Sequence, residues 1–229
     1  MRFGCLGVLA DMEPAAEMGF DYIEAAEGDL LLSAEEATFR RLREDVLAQP
    51  LFPEVVQLTH LTAPGGTDVL RRAALMGARV IVVDAGQVWA EAGGDWQRAT
   101  DRLSAFGHEA SRAGLMAALR ADSRADGLEE AWMLVQEAGH PALGVAADAE
   151  ALHLRSGEPE ELLALERSLL HLYLPPVGEH RLAADFWDGL VAVLHELGYR
   201  HRLTVNRPWA ALERWGREAV ESARRRVGA

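Results

Sequence analysis

The stretch Gly77-Ala78-Arg79-Val80-Ile81-Val82-Val83-Asp84 decides how the rest of this 229-residue chain is interpreted. Its β-branched run is too short for a helix and is bounded by a glycine and an aspartate, which is typical of a strand. Gly77 stands in the position where a glycine commonly ends a helix. We therefore predict a helix that ends at Gly77 and a strand over residues 79–84.

Short β-like runs alternate with longer helical patterns along the whole chain, which predicts a parallel sheet with crossover helices. The strands are predicted at residues 2–8, 21–25, 54–60, 79–84, 114–120, 142–148, 168–174 and 202–206. Eight strands are what a closed α/β barrel requires, and such barrels run from about 200 residues upward. No linker or repeat divides the sequence, so we predict one (βα)8 TIM barrel as a single domain over residues 1–229.

Several helix starts carry their own signals. Ser33-Ala34-Glu35-Glu36 has the form of a capping box, which predicts that Ser33 opens a helix running to about residue 48. Asp95 is predicted to cap a helix over residues 96–113, and Asp148 or a near neighbour to open another. Pro208 is predicted to lie in the first turn of the last helix.

The composition excludes several classes of function. A net charge of −13 argues against nucleic acid as a partner, because phosphates require a basic surface. No stretch approaches the roughly 18 apolar residues of a membrane span, and no export signal is evident, so a cytoplasmic protein is expected. All 23 basic residues are arginines, so Schiff-base catalysis through a lysine amine is impossible. The single cysteine, Cys5, excludes an internal disulfide. The oligomeric state stays open.

Polar residues stand at the predicted carboxyl end of most strands, which is where the active site of an α/β barrel lies. They are Glu24, His60, Asp84, Arg120, Asp122, Asp148, His171, Tyr173 and Asn206. Each alone is explained equally well as a helix cap or a loop anchor, but a converging set of nine favours a site. In particular, Glu24, Asp148 and Asn206 are predicted to share one pocket.

Three segments resemble the xylose-isomerase-like barrels, which include sugar and sugar-phosphate isomerases and epimerases. Residues 17–24, Glu-Met-Gly-Phe-Asp-Tyr-Ile-Glu, are similar to an early segment of that family. Residues 77–83 resemble its fourth strand, and residues 198–206, Gly-Tyr-Arg-His-Arg-Leu-Thr-Val-Asn, its eighth. The resemblance implies the TIM-barrel fold and a small sugar-like or anionic metabolite as ligand.

The resemblance also implies a divalent metal, held in that family by side chains on strands five to eight. Carried over position by position, the four ligands fall on Arg120, Asp148, Tyr173 and Asn206. Only Asp148 keeps the family's residue type, and Arg120 brings a positive charge to a place meant for a cation. We therefore expect no metal and no other cofactor, with Arg120 pairing with Asp148 or Glu24 in the cation's place and offering its remaining donors to an anionic ligand.

Three hypotheses stay open. The first is a metal-independent enzyme in which Glu24 is the base, Tyr173 or His60 is the acid, and Arg120, Asp148, Asn206, His171 and Asp84 bind the substrate. The second is a non-catalytic barrel that binds a metabolite or a partner. The third is a metal enzyme whose site has moved to Glu24, His60, Asp84 and Asp148.

Overall fold

Eight parallel strands close into a barrel in chain order, so the predicted (βα)8 architecture is confirmed. The computed structural model describes residues 1–61, 67–121, 127–175, 184–206, 212, 221 and 224–226. The strands are β1 Arg2–Leu6, β2 Tyr22–Ala26, β3 Pro53–Leu58, β4 Val80–Asp84, β5 Met116–Arg120, β6 Leu143–Asp148, β7 Leu169–Leu174 and β8 Arg202–Val205. The predictions for Asp122 and Pro208 lie outside the described residues.

Helices connect the strands on the outside of the barrel. They are α1 Met12–Met18, α2 Glu36–Leu47, α3 Thr67–Leu75, α4 Ala85–Ala92, α5 Trp96–Arg112, α6 Gly127–Ala138, α7 Ala149–Arg155 and α8 Ala184–Glu196. Two 3-10 segments, Leu9–Asp11 and Pro159–Ser168, precede α1 and β7. None of the helices in the described ranges is long and apolar enough to cross a membrane.

Two of the predicted helix caps are confirmed. The carboxylate of Asp95 accepts a hydrogen bond from the Arg98 amide at the start of α5. The carboxylate of Asp148 accepts from the amides of Glu150 and Ala151 at the start of α7. Short polar side chains at these positions satisfy amides that have no partner within the helix.

The prediction that Ser33 opens a helix through a capping box is wrong. Helix α2 begins at Glu36, with Glu35 as its cap. The carbonyl oxygens of Leu32 and Ala34 accept hydrogen bonds from the guanidinium of Arg72 on α3. Because this tertiary contact holds the segment in turns, the helix starts later than the local motif predicts.

Two further boundaries differ from the prediction. Strand β3 ends at Leu58, so His60 lies beyond the strand rather than in its last position. Helix α4 follows β4 directly, with Asp84 as its cap, although no helix was predicted there. Its apolar face (Ala85, Val88 and Ala92) is buried and packs into the main core.

Apolar side chains fill the barrel interior in layers. They come from inward-facing positions of most strands: Tyr22, Val55, Val80, Val82, Ala118, Ala146, Leu170 and Tyr173. Tyr22 is fully buried, and its hydroxyl lies 3.0 Å from the hydroxyl of Thr204 on β8, the strand on the other side of β1. The ring occupies the space in front of Gly4 on the neighbouring strand β1.

A charged cluster lies near the amino-terminal ends of the strands. Both carboxylate oxygens of the buried Glu54 are engaged, one by Arg2 and the other by Arg202. Glu54 is an extra residue in β3, since Ile23 pairs with Pro53 and Glu24 already pairs with Val55. This cluster joins three strands at the end of the barrel that lies opposite the polar strand ends.

We predict that Gly4→Ala destabilises the protein by about 1–3 kcal/mol or more, because the added methyl group would overpack the barrel interior. A Cβ atom at position 4 would lie less than 3.0 Å from three atoms of the Tyr22 ring. Gly28→Ala is the matched control, since a Cβ there meets nothing within 4 Å. Urea unfolding measures both; equal stability of the two variants would contradict this packing.

Candidate active site

The carboxylate of Glu24 is the centre of a buried polar cluster at the carboxyl end of the barrel. Its side chain on β2 is fully buried. Oε2 lies 3.0 Å from Nε2 of His171 on β7. Oε1 accepts hydrogen bonds from the Tyr173 hydroxyl at 2.5 Å and from the amide of Gln57 on β3 at 2.7 Å. Strands two, three and seven therefore converge on one carboxylate.

The alternation of β2 explains why Glu24 points into the barrel. Tyr22 and Glu24 are two residues apart, so both face the interior, with Glu24 nearer the carboxyl end. On β7, Val145 pairs with Leu169 and Ala146 pairs with His171, so Leu170 is an extra residue. A bulge of this kind re-aims the side chains that follow it, here the pair that meets Glu24.

The surroundings of Glu24 favour its ionised form. Burial alone would raise its pKa, but the charge of His171 and the hydrogen bonds from His171, Tyr173 and Gln57 outweigh burial and lower it. Burial and the neighbouring Glu24 charge raise the pKa of Tyr173 well above its ordinary value. The cluster therefore holds an ionised carboxylate against a protonated phenol, which is the arrangement of a base and an acid.

A second group of charges lies on β5, β6 and β8. The guanidinium of Arg120 lies over the ring of Tyr173, 4.2 Å from its centroid. Its Nη2 atom is 3.6 Å from Oδ2 of Asp148, so the ion pair expected from the sequence is present. The amide of Asn206 donates to the same oxygen at 2.8 Å. The ring of Tyr173 thus connects this group to Glu24.

The four positions at the ends of β5 to β8 do not fit a divalent ion. Only Asp148 is a carboxylate, and both of its oxygens are engaged, one at the start of α7 and one by Asn206 and Arg120. A cation would also meet the positive charge of Arg120. Within the described ranges, no three His, Cys, Asp or Glu side chains are grouped as a metal site requires.

A pocket of about 290 Å³ opens beside Glu24 at the ends of β1, β2 and β3. Gln57 and the acidic residues Asp11 and Asp29 also line it. Oδ2 of Asp11 accepts from the Val8 amide, which fixes the loop after β1. The pocket walls therefore offer carboxylate and amide groups, which suit the hydroxyl groups of a sugar.

Of the three residues predicted to share one pocket, Glu24 lines this pocket, whereas Asp148 and Asn206 do not. The remaining predicted site residues do not line it either. Nδ1 of His60 contacts the Gln87 amide at 2.9 Å and Glu91 at 3.4 Å, and its side chain is 71% exposed. Asp84 accepts from the Gly86 amide as the cap of α4. His171 is fully buried behind Glu24. The roles predicted for these residues in acid catalysis and substrate binding stay predictions.

Gln57 was not identified from the sequence, although it completes the cluster. Its amide donates to Glu24 at 2.7 Å and lies 3.4 Å from the Tyr173 hydroxyl. The signal was a lone polar residue inside the otherwise apolar run 55–58. In a barrel strand such a residue at an inward position needs a buried partner.

We predict that Glu24→Gln lowers the free energy of unfolding at pH 7 by about 3–5 kcal/mol, because it breaks a buried ion pair. The pKa of folded Glu24 lies below its ordinary value of 4.5. The ionised carboxylate therefore contributes stability above that pH, and the contribution is lost as the pH falls through the lowered pKa. Urea unfolding from pH 7 to pH 3 should show that the difference in free energy of unfolding between the variant and the unmodified protein narrows only below about pH 4.5.

Glu17→Gln, at an exposed position, is the control. A difference that stays constant over this range would contradict the lowered pKa.

Comparison with known proteins gives matches in structure only. No family model and no curated protein matches the chain in sequence. A D-psicose 3-epimerase, whose structure was determined in the presence of D-fructose, superposes with a TM-score of 0.80 at 13% identity over 100% of both chains. A 3-keto-D-glucoside 4-epimerase from E. coli gives 0.76 at 16% identity over 98% of this chain and 99% of that one.

A xylose isomerase domain protein from Alicyclobacillus acidocaldarius gives a TM-score of 0.74 at 15% identity, over 99% of both chains. These identities are too low to carry an activity from one protein to another. Near-complete coverage in both directions nevertheless shows that the whole architecture is shared. The chain therefore shares the (βα)8 barrel fold of these two epimerases and of the xylose isomerase domain protein.

Proposed function

We propose that this chain is a sugar isomerase or epimerase whose proton-transferring base is Glu24. The observation that carries the proposal is the buried carboxylate of Glu24, which accepts hydrogen bonds from Tyr173 and Gln57 and borders a pocket at the carboxyl end of the barrel. Active sites of α/β barrels lie at this end. The epimerases among the structural neighbours support a sugar-like ligand.

Glu24 needs access to the substrate before it can act. Gln57 is the partly exposed member of its three partners and lines the pocket. A sugar that displaces the Gln57 amide would place its own C–H group next to Oε1. Losing this donor would also raise the pKa of Glu24, which makes the carboxylate a stronger base.

The reaction proceeds through an enediol. Glu24 removes the proton from a carbon next to the sugar carbonyl, and the C–H electron pair forms the new C=C bond. Tyr173 gives its proton to the carbonyl oxygen and recovers one from the neighbouring hydroxyl. Glu24 then returns the proton to the former carbonyl carbon, which completes an isomerisation. Return to the original carbon on its other face would need a second donor, so a single base favours isomerisation.

No divalent ion enters this mechanism. The positions that would hold it carry Arg120, Tyr173, Asn206 and an engaged Asp148. In its place, the guanidinium of Arg120 supplies positive charge on the side of Tyr173 that faces β5 and β6. Added Mg²⁺, Mn²⁺ or chelator is therefore expected to leave the rate of product formation unchanged.

We predict that Glu24→Gln lowers kcat by at least about a hundredfold on any sugar that the unmodified protein converts, because the amide cannot accept the proton. Chromatography of aldose and ketose panels after incubation with the protein measures conversion. Glu17→Gln should keep full activity, and circular dichroism should show that both variants are folded. An active Glu24→Gln variant would remove Glu24 from the mechanism.

A non-catalytic binding barrel is the second candidate, and one observation favours it. Both oxygens of Glu24 are already hydrogen-bonded and its side chain is inaccessible. A carboxylate in this state could serve only to hold the barrel together. This candidate would be established if the protein binds a sugar without converting it and Glu24→Gln binds that sugar with the same affinity.

A further inference from the structure

We infer that Arg120 is a binding site for a carboxylate group, so that a ligand extending from the pocket beside Glu24 past Tyr173 to Arg120 is a sugar acid rather than a neutral sugar. The inference rests on the proposed function in placing a sugar-like ligand at the carboxyl end of the barrel. It goes beyond that function by naming the chemical class of the ligand and the residue that selects it.

The donors of Arg120 are held in place, and none of them is hydrogen-bonded to the residues that the structure describes. Stacking on the Tyr173 ring fixes the plane of the guanidinium. The nearest approach to Asp148 is 3.6 Å, which is longer than a hydrogen bond. In the part of the chain that the structure describes, Arg120 makes no hydrogen bond. Its side chain is 27% exposed, so its five N–H donors can meet a ligand.

Asp148 does not require the charge of Arg120. Its Oδ1 atom accepts from the amides of Glu150 and Ala151, and its Oδ2 atom accepts from Asn206. These three hydrogen bonds stabilise the carboxylate in addition to its ion pair with Arg120. Asp148 therefore orients Arg120 from one side and leaves the rest of the guanidinium fork for a second anion.

The distribution of charge gives the ligand a direction. Asp11 and Asp29 line the pocket on the side of β1 and β2, together with Glu24. They repel an anion and accept hydrogen bonds from sugar hydroxyls. Arg120 lies across Tyr173 on the side of β5 and β6. A ligand with hydroxyl groups at one end and a negative charge at the other matches this arrangement.

A carboxylate fits better than a phosphate. The planar guanidinium fork matches a planar carboxylate with two parallel hydrogen bonds. A phosphate dianion needs more positive charge than one arginine, and the amides at the start of α7 are already taken by Asp148. The start of α7, the helix that follows β6, is thus closed to a phosphate group.

The test is calorimetric titration of the protein with glucuronate, glucose and glucose 6-phosphate, which differ in the group carried at one position. We expect glucuronate to bind roughly ten- to hundredfold more tightly than glucose, the contribution of hydrogen bonds to a charged group. Arg120→Gln should abolish this preference, so that glucuronate and glucose bind the variant with similar affinity. Arg120→Lys, which keeps the charge but not the fork, should restore only part of it. Arg40→Gln, which removes an exposed surface charge, should keep the preference in full.

Each outcome decides between the possibilities. Equal affinity for glucuronate and glucose, no binding of glucuronate, or a preference that survives in Arg120→Gln would overturn the inference. Stronger binding of glucose 6-phosphate than of glucuronate would overturn the choice of a carboxylate. Binding and conversion are measured in separate experiments. If glucuronate binds selectively through Arg120 but no sugar is converted, the proposed enzyme function fails and the Arg120 site remains.

Discussion

The buried carboxylate of Glu24 is the constraint on which the polar cluster at the carboxyl end of this barrel depends. A charge removed from water must be paired and hydrogen-bonded, or it costs several kcal/mol. Glu24 meets this requirement through His171, Tyr173 and Gln57, which come from strands on both sides of the barrel. The same contacts fix the Tyr173 ring, on which Arg120 stacks. Removing the Glu24 carboxylate would therefore leave His171, Tyr173 and Gln57 without this shared partner.

The architecture was predictable from the sequence because it depends on local patterns. Eight β-like runs separated by helical periods required no long-range information, and the strand bounds agree within two residues. The structure-only likeness to sugar epimerases agrees with the resemblance noted in three short segments. Local signals failed where a distant side chain intervened, as Arg72 does at the start of α2.

The candidate site was predictable only in part. The strand-end rule identified Glu24, Tyr173, Arg120, Asp148 and Asn206, which the structure links through successive contacts. It did not identify Gln57, and it extended β3 to His60. The rule considered only residues at the predicted strand ends, and β3 stops two residues before the predicted end. In addition, extra residues in β3 and β7 shift which side chains face the interior, and no local pattern marks them. The contacts of Glu24 with His171 and Tyr173 likewise could not be predicted, because they form only when β2 and β7 are brought together in the closed barrel.

The central claim is that Glu24 exchanges a proton with the carbon next to a sugar carbonyl. Proton NMR of a converted sugar in D₂O measures this directly, because a proton taken up by the carboxylate exchanges with solvent before it returns. The account predicts deuterium at the carbon that receives the proton from Glu24, which is the carbonyl carbon of the substrate, appearing with the unmodified protein and not with Glu24→Gln. Conversion without any deuterium incorporation, or incorporation that persists in Glu24→Gln, would contradict it.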